Sequence, residues 1–266
     1  MRNKNNYNWD KLTISNDFIF SKVMKDEYIC KLLIEEMLNV KVGKIEYIEE
    51  EKTIDLDLSS KGIRLDVYLE DENRIFNIEM QVSNKVNIMK RSRFYQSLID
   101  LNNLQSGEDY DNLKESYIIF ICTYDLFKLG LPKYTFQNVC LEDYSLKSDD
   151  GAYKVVFNTK AFSKASSENL KAILQYINGE KVQNKFVDIL DSKVNSVKNN
   201  EEWRREFMLM KLKEMDIARD NYSKGKLEGM IKQINALKDF NIPYDKIISK
   251  IIEDYNVTED EVRKYL

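Results

Sequence analysis

Asp66, Glu79 and Gln81 are residues of the types that metal-dependent hydrolysis uses, and they follow the pattern D-x12-E-x-Q. Two neighbouring carboxylates can hold a divalent cation such as Mg2+ through their oxygens. Such a cation polarises a phosphoryl oxygen and lowers the pKa of a bound water. We therefore take Asp66 and Glu79 as candidate metal ligands and all three residues as candidate catalytic residues.

A β-hairpin between Gly62 and Val82 would bring these residues together. Apolar and polar residues alternate on both sides of the polar turn 71–73. With a two-residue loop in that turn, positions whose numbers add to 145 face each other, so Asp66 faces Glu79. Opposed β residues have Cβ atoms about 4.5–5.5 Å apart, and Gln81 projects from the same face. We expect the other face to be core, with Ile63, Leu65, Val67, Phe76, Ile78, Met80 and Val82.

The same alternation has a purely structural interpretation, which stays open at this point. Paired acids are common on the solvated outer face of a hairpin, where Arg64 and Arg74 could screen them. Two opposed ionised carboxylates repel each other unless a positive charge lies between them.

A cationic segment follows the hairpin, with no acid between Asn84 and Ser97. Clustered cations are the expected contact for a phosphate backbone, although basic helical turns also occur simply as solvated faces. Tyr95 and Gln96 lie beside these cations in the same segment. The candidate DNA-binding residues are Lys85, Lys90, Arg91, Arg93, Tyr95 and Gln96.

The amino-acid composition excludes several classes of catalytic and metal site. The sequence has no histidine, which excludes histidine-containing triads, histidine zinc sites and histidine general bases. Cys30, Cys122 and Cys140 are far apart among apolar or aromatic residues, as is typical of reduced core thiols. Hydrolysis would therefore need carboxylates and a hard metal ion. The net charge of −4 does not exclude binding to DNA. DNA binding depends on whether cations cluster on one face of the protein, and not on the net charge.

The hydrophobic pattern predicts an α/β fold in the order helix, three strands, helix, strand. We expect a domain at 1–162 and an all-α C-terminal region at 163–266 that serves packing, oligomerisation or DNA contact. The last two helices could imitate a helix-turn-helix, although their charges are mixed. The predicted helices are 17–38 with a break near Asp26, 86–104, 168–177, 186–197, 201–240, 244–255 and 259–265 with Thr258 as cap. The predicted extended segments are 45–58, the hairpin, 116–127, 134–140 and 153–158. An apolar stripe for packing or self-association comprises Leu209, Leu212, Met215, Leu227, Met230, Ile231, Ile234 and Leu237.

Four segments resemble successive signatures of one bacterial family, the recombination-promoting nuclease (Rpn-like) or transposase family of the PD-(D/E)XK nuclease superfamily. The segments are NDFIFSKVM (16–24), LDVYLEDENRIFNIEMQVSN (65–84), KRSRFYQSLI (90–99) and GEDYDNLKESYIIFICTYDLF (107–127). The resemblance covers about residues 13–160. It implies a restriction-endonuclease-like αβββαβ core with a mixed sheet, and metal-dependent DNA cleavage linked to recombination.

By this resemblance Asp66 and Glu79 would be the metal ligands, and Gln81 would fill the place that lysine holds in the superfamily pattern. Tyr95 or Gln96 would reach the acids from the following helix, as helical glutamine and tyrosine residues do in related nucleases. Leu65 stands where that pattern has proline. An amide supplies neither a positive charge nor a proton, so more of the transition-state charge falls to the metal. Asp17, Glu27 and Glu35 are candidates for a further carboxylate from the first helix.

We therefore expect a magnesium-dependent DNA endonuclease, with Mn2+ as a substitute, that acts in recombination or transposition. A dimer is expected, because cutting a duplex requires two active sites. The alternative is a non-cleaving DNA-binding or regulatory module that keeps the nuclease fold. No apolar stretch suits a membrane span and the first ten residues are polar, so we expect a cytoplasmic protein without a membrane partner.

Overall fold

The computed structural model describes residues 8–54, 63–84 and 87–266, without the side chains of residues 47–51, 63 and 64. Its helices are α1 (Asp17–Met24), α2 (Glu27–Leu38), α3 (Ile88–Asn103), α4 (Glu168–Ile177), α5 (Lys185–Lys198), α6 (Glu201–Asp239), α7 (Tyr244–Tyr255) and α8 (Glu259–Arg263). Its strands are β1 (Ile45–Ile54), β2 (Ile63–Asp71), β3 (Arg74–Gln81), β4 (Glu115–Cys122), β5 (Lys133–Phe136) and β6 (Ala152–Asn158).

The strands form one mixed sheet in the order β1-β2-β3-β4-β6-β5. The pairs β1–β2, β2–β3 and β5–β6 are antiparallel, whereas β3–β4 and β4–β6 are parallel. Helix α3 connects β3 to β4, as parallel neighbours require a crossover. The predicted αβββαβ order and mixed sheet are therefore confirmed, with the opening helix divided into α1 and α2.

Local capping explains where the helices begin. Asp26 separates α1 from α2, and its Oδ1 accepts a hydrogen bond from the backbone of Ile29 at 3.2 Å. Asn87 caps α3 through Lys90 N at 3.0 Å. The predicted strand 116–127 ends at Cys122, and the predicted extensions over 55–58 and at Val86 lie outside the described residues.

Both faces of the sheet are buried. On one face α3 packs Tyr95, Leu98 and Ile99 against β3 and β4, while α1 contacts β1, β2 and β3. The expected core residues Leu65, Val67, Phe76, Ile78 and Met80 are buried. Helix α3 covers the other face, which carries the polar residues, so that face is not open to solvent. Val82, which we assigned to the core, follows the end of β3 and is 61% exposed. Cys30 and Cys122 are buried and Cys140 is half-buried, all as free thiols.

The predicted domain boundary at 162 differs from the division in the structure. The chain forms one compact unit at Met1–Glu201 and a second at Glu202–Leu266. Helices α4 and α5 belong to the first unit because their apolar faces pack on its N-terminal helices. An ion pair between Lys193 and Asp26 at 2.8 Å fastens α5 to the start of α2. The change to a helical pattern after residue 160 therefore marks a second layer of the same unit.

The second unit has a small helical core of its own. Met230 and Ile234 of α6 pack with Ile247 and Ile251 of α7 and with Val262 of α8. The predicted cap Thr258 forms a capping box with Glu261. The apolar stripe predicted along α6 is divided, because its C-terminal part enters this core while Leu209, Leu212 and Met215 are exposed. No helix in the described part of the chain is long and apolar enough to cross a membrane.

Candidate active site

The β2–β3 hairpin brings Asp66 and Glu79 together. The strands pair in the register deduced from the sequence, in which partner numbers add to 145, around the turn 72–73. Asp66 N donates to Glu79 Oε1 at 3.1 Å, and Met80 N donates to Asp66 Oδ2 at 3.0 Å. Each carboxylate therefore reaches the opposite strand and replaces a backbone acceptor there, which fixes the position of both acids.

Glu79 is fully buried, and hydrogen-bond donors hold both of its oxygens. Oε1 accepts from Asp66 N and, at 3.3 Å, from the side-chain nitrogen of Asn77. Oε2 accepts from a guanidinium nitrogen of Arg91 at 2.7 Å. Burial, followed by the negative charge of Asp66, raises the pKa of Glu79 to about 8, although Arg91 acts in the opposite direction. An additional positive charge beside this acid pair would therefore favour its full ionisation near neutral pH.

Arg91 is the cation that α3 directs to the acids. Besides Glu79, its guanidinium hydrogen-bonds the hydroxyl of Tyr95 and lies over the rings of Tyr95 and Phe120, at 4.9 and 5.9 Å from their centres. Burial and the neighbouring Glu79 raise the pKa of Tyr95, so its hydroxyl stays neutral and accepts from Arg91. Aromatic rings and hydrogen bonds therefore hold Arg91 beside the acid pair. About a quarter of its side chain is exposed.

The other predicted DNA-binding residues are distributed differently. Lys90 and Arg93 are exposed on α3, and Lys85 lies outside the described residues. Gln96 donates to Ser116 Oγ at 2.6 Å, at the start of β4, whereas the β4 partner of Glu79 is Phe120. The structure therefore brings Arg91 and Tyr95 to the acids but does not bring Gln96 there.

Gln81 follows Glu79 by two residues in β3, so the two side chains lie on the same face of the strand. Its neighbour on β4 is Cys122, and its side chain is half-buried. Among the residues that the structure describes, its amide has no hydrogen-bond partner. The amide can therefore bind a water or a substrate atom without breaking an existing contact.

Asn77 is a site residue that our sequence reasoning missed. It is fully buried, and with its amide turned so that the nitrogen faces the two acceptors, it donates to Glu79 and, at 3.2 Å, to the backbone oxygen of Val67. It lies two residues before Glu79, so strand alternation puts both side chains on one face. A polar residue at this spacing in an otherwise apolar strand was the available signal.

The interpretation of the acids as a solvated pair screened by arginines is wrong for Glu79, because α3 buries it. Arg74 instead pairs with Asp71 at 2.9 Å, and the side chain of Arg64 lies outside the described part. The described residues include no cluster of three or more potential metal ligands, so Asp17, Glu27 and Glu35 do not join the acids. Glu35 holds the start of β1 instead, since it accepts from Val42 N at 3.0 Å.

Comparison with protein families shows to which family the part of the chain that contains the β2–β3 hairpin belongs. A family profile described as PD-(D/E)XK nuclease family transposase matches residues 14–149, which is half of the chain. The chain belongs to this family. The match contains β1 to β4, α3 and the acid pair, so the PD-(D/E)XK assignment covers the elements that build the site. Comparisons with curated proteins and with solved structures gave no match.

The donor set fits the divalent metal that PD-(D/E)XK nucleases generally use. Asp66 and Glu79 offer carboxylate oxygens, which suit Mg2+ or Mn2+, and Mg2+ commonly binds through one or two carboxylates with waters as its remaining ligands. The closeness of the two acids on the hairpin also favours a metal, because a bound cation would offset the repulsion between them. Two protein carboxylates therefore suffice without a third.

Proposed function

We propose that this chain is a metal-dependent DNA endonuclease that hydrolyses phosphodiester bonds during recombination or transposition of DNA. The observation that carries the proposal is the pair Asp66 and Glu79, which the β2–β3 hairpin holds together inside a PD-(D/E)XK domain. Two neighbouring ionised carboxylates repel each other, and a bound divalent cation would offset that repulsion.

Asp66 and Glu79 would hold Mg2+, with Mn2+ as a substitute. When bound, the ion supplies Lewis-acid chemistry, in which it polarises the phosphoryl oxygen and lowers the pKa of a bound water. Gln81 orients the attacking water through its unpaired amide. Its side chain lies two residues beyond Glu79 on the same face of β3. Asn77 keeps the Glu79 carboxylate in its orientation through Oε1.

The DNA backbone would lie along α3. Exposed Lys90 and Arg93 supply positive charge to neighbouring phosphates, which positions the duplex without reading its sequence. Gln81 cannot neutralise charge on the scissile phosphate, whereas Arg91, which pairs with Glu79, can do so.

Incubation of supercoiled plasmid with the purified protein tests the proposal. Nicked or linear DNA is expected with Mg2+ or Mn2+, and intact plasmid with Ca2+ or EDTA. If the plasmid stays intact with every metal while gel-shift assays detect binding, the protein is the alternative that we considered, a non-cleaving DNA-binding module. The absence of both cleavage and binding would exclude both functions.

A further inference from the structure

We propose that Arg91 competes with the metal ion for Glu79, and that metal binding transfers its guanidinium from Glu79 to the phosphate of the substrate. This inference rests on the proposed function and assigns Arg91 a direct contact with the scissile phosphate once the metal is bound. The observation behind it is the geometry of the donors around the Glu79 carboxylate.

The two oxygens of Glu79 are held in different ways. Oε1 is bound by Asp66 N and by the fully buried Asn77, both parts of the same hairpin. The Asp66 donor is a backbone amide of β2, and the Asn77 side chain is fully buried, so neither donor is free to move away. Oε2 is bound by Arg91, a long side chain from another element. Oε1 already accepts two hydrogen bonds and Oε2 only one, so Oε2 is the oxygen that Glu79 would offer to a metal ion.

Arg91 and a metal ion would interfere with each other on that oxygen. An N–H···O contact near 2.7 Å and an Mg–O bond of roughly 2.1 Å on one atom place the two cations within about 4–5 Å, where they repel strongly in a partly buried site. Arg91 already donates at this distance. Metal binding should therefore weaken or break the contact between Arg91 and Glu79.

The displaced guanidinium has a short path to the substrate. About a quarter of the Arg91 side chain is exposed, and its helix also presents Lys90 and Arg93 to solvent. The stacking on Tyr95 and Phe120 needs only the planar face of the guanidinium, so its N–H groups can turn to a phosphate oxygen. Arginine suits this exchange because carboxylate and phosphate present similar acceptor geometry.

Calorimetric titration with Mg2+ in the absence of DNA tests the competition. Arg91→Met keeps the apolar stem and removes the competing cation, so it should bind Mg2+ about tenfold tighter or more than the wild type. Arg91→Lys keeps a cation and should bind Mg2+ with an affinity near that of the wild type. Arg93→Gln removes one positive charge from the exposed surface of the same helix. It therefore controls for the effect of net charge on Mg2+ affinity. It should change Mg2+ affinity less than threefold.

The possible outcomes separate this inference from the proposed function. If the wild type binds Mg2+ but Arg91→Met binds it equally or more weakly, Arg91 does not compete and the inference fails alone. If the wild type binds no divalent ion, the proposed function fails as well. Should Arg91→Met not fold, the Nε–H resonance of Arg91 in the wild-type protein gives a second measurement. It should shift on saturation with Ca2+, and an unchanged resonance overturns the competition.

Discussion

The burial of Glu79 beside Asp66 predicts how stability depends on pH when EDTA removes divalent ions. The pKa of Glu79 rises from 4.5 to about 8 in the folded protein. The folded state therefore binds this proton more tightly than the unfolded state. The resulting stability is fully present below about pH 4.5 and is lost as the pH rises through about 8. A shift of this size corresponds to a change in the free energy of unfolding on the order of 5 kcal/mol, or roughly 10–20 °C in melting temperature.

Glu79→Gln isolates this contribution. Glutamine is neutral at every pH and keeps an oxygen that can accept from Asp66 N and Asn77, so the variant lacks the pH-dependent penalty. Between pH 5 and pH 9 the wild type should lose roughly 10–20 °C relative to the variant, for the reason given above. Glu72→Gln, at the exposed turn of the same hairpin, is the matched control and should follow the wild type.

Thermal denaturation followed by circular dichroism at pH 5, 7 and 9 measures these differences. In saturating Mg2+ the decline of the wild type should become smaller, because a bound cation favours the ionised carboxylate. A constant difference in melting temperature between wild type and Glu79→Gln from pH 5 to pH 9 would refute the argument from burial.

Three further predictions concern single contacts. Gln81→Ala should slow plasmid nicking by about tenfold to a hundredfold with unchanged DNA affinity, since the attacking water loses its orientation; an unchanged rate means that Gln81 takes no part in catalysis. Asn77→Ala should lower the free energy of unfolding by about 1–3 kcal/mol in urea titrations, because Val67 O loses its buried partner; a stability equal to the wild type contradicts that contact. Leu212→Glu should reduce the sedimentation coefficient if the exposed stripe of α6 joins two copies, whereas an unchanged value excludes self-association there.

The hairpin could be predicted from the sequence because its strands and turn are determined by residues that are close together in the chain. Alternation identified β2 and β3, and the two-residue turn fixed their register, so the opposition of Asp66 and Glu79 followed without knowledge of the rest of the fold. The end of β3 was less certain, since nothing local distinguished Val82 from the apolar residues before it. Its exposure depends on where β4 ends beside it.

Features that depend on packing between distant elements could not be predicted in this way. The burial of Glu79 and its contact with Arg91 exist because α3 lies on the sheet face that alternation alone marked as polar. The assignment of α4 and α5 to the first unit likewise depends on contacts such as Lys193 with Asp26, which are far apart in sequence. Amphipathic periodicity identifies an apolar face but not the surface that this face covers.

The central claim is that two hairpin carboxylates drive cleavage through a metal ion, and single-turnover nicking of plasmid in Mg2+ tests it most directly. Wild type, Asp66→Asn and Glu72→Gln are compared at saturating protein, after gel-shift assays in Ca2+ have established equal DNA binding. The proposed mechanism predicts nicking by wild type and Glu72→Gln at the same rate, and loss of nicking by at least about a hundredfold in Asp66→Asn. Nicking by a correctly folded Asp66→Asn protein at the wild-type rate would contradict the metal site and the function proposed from it.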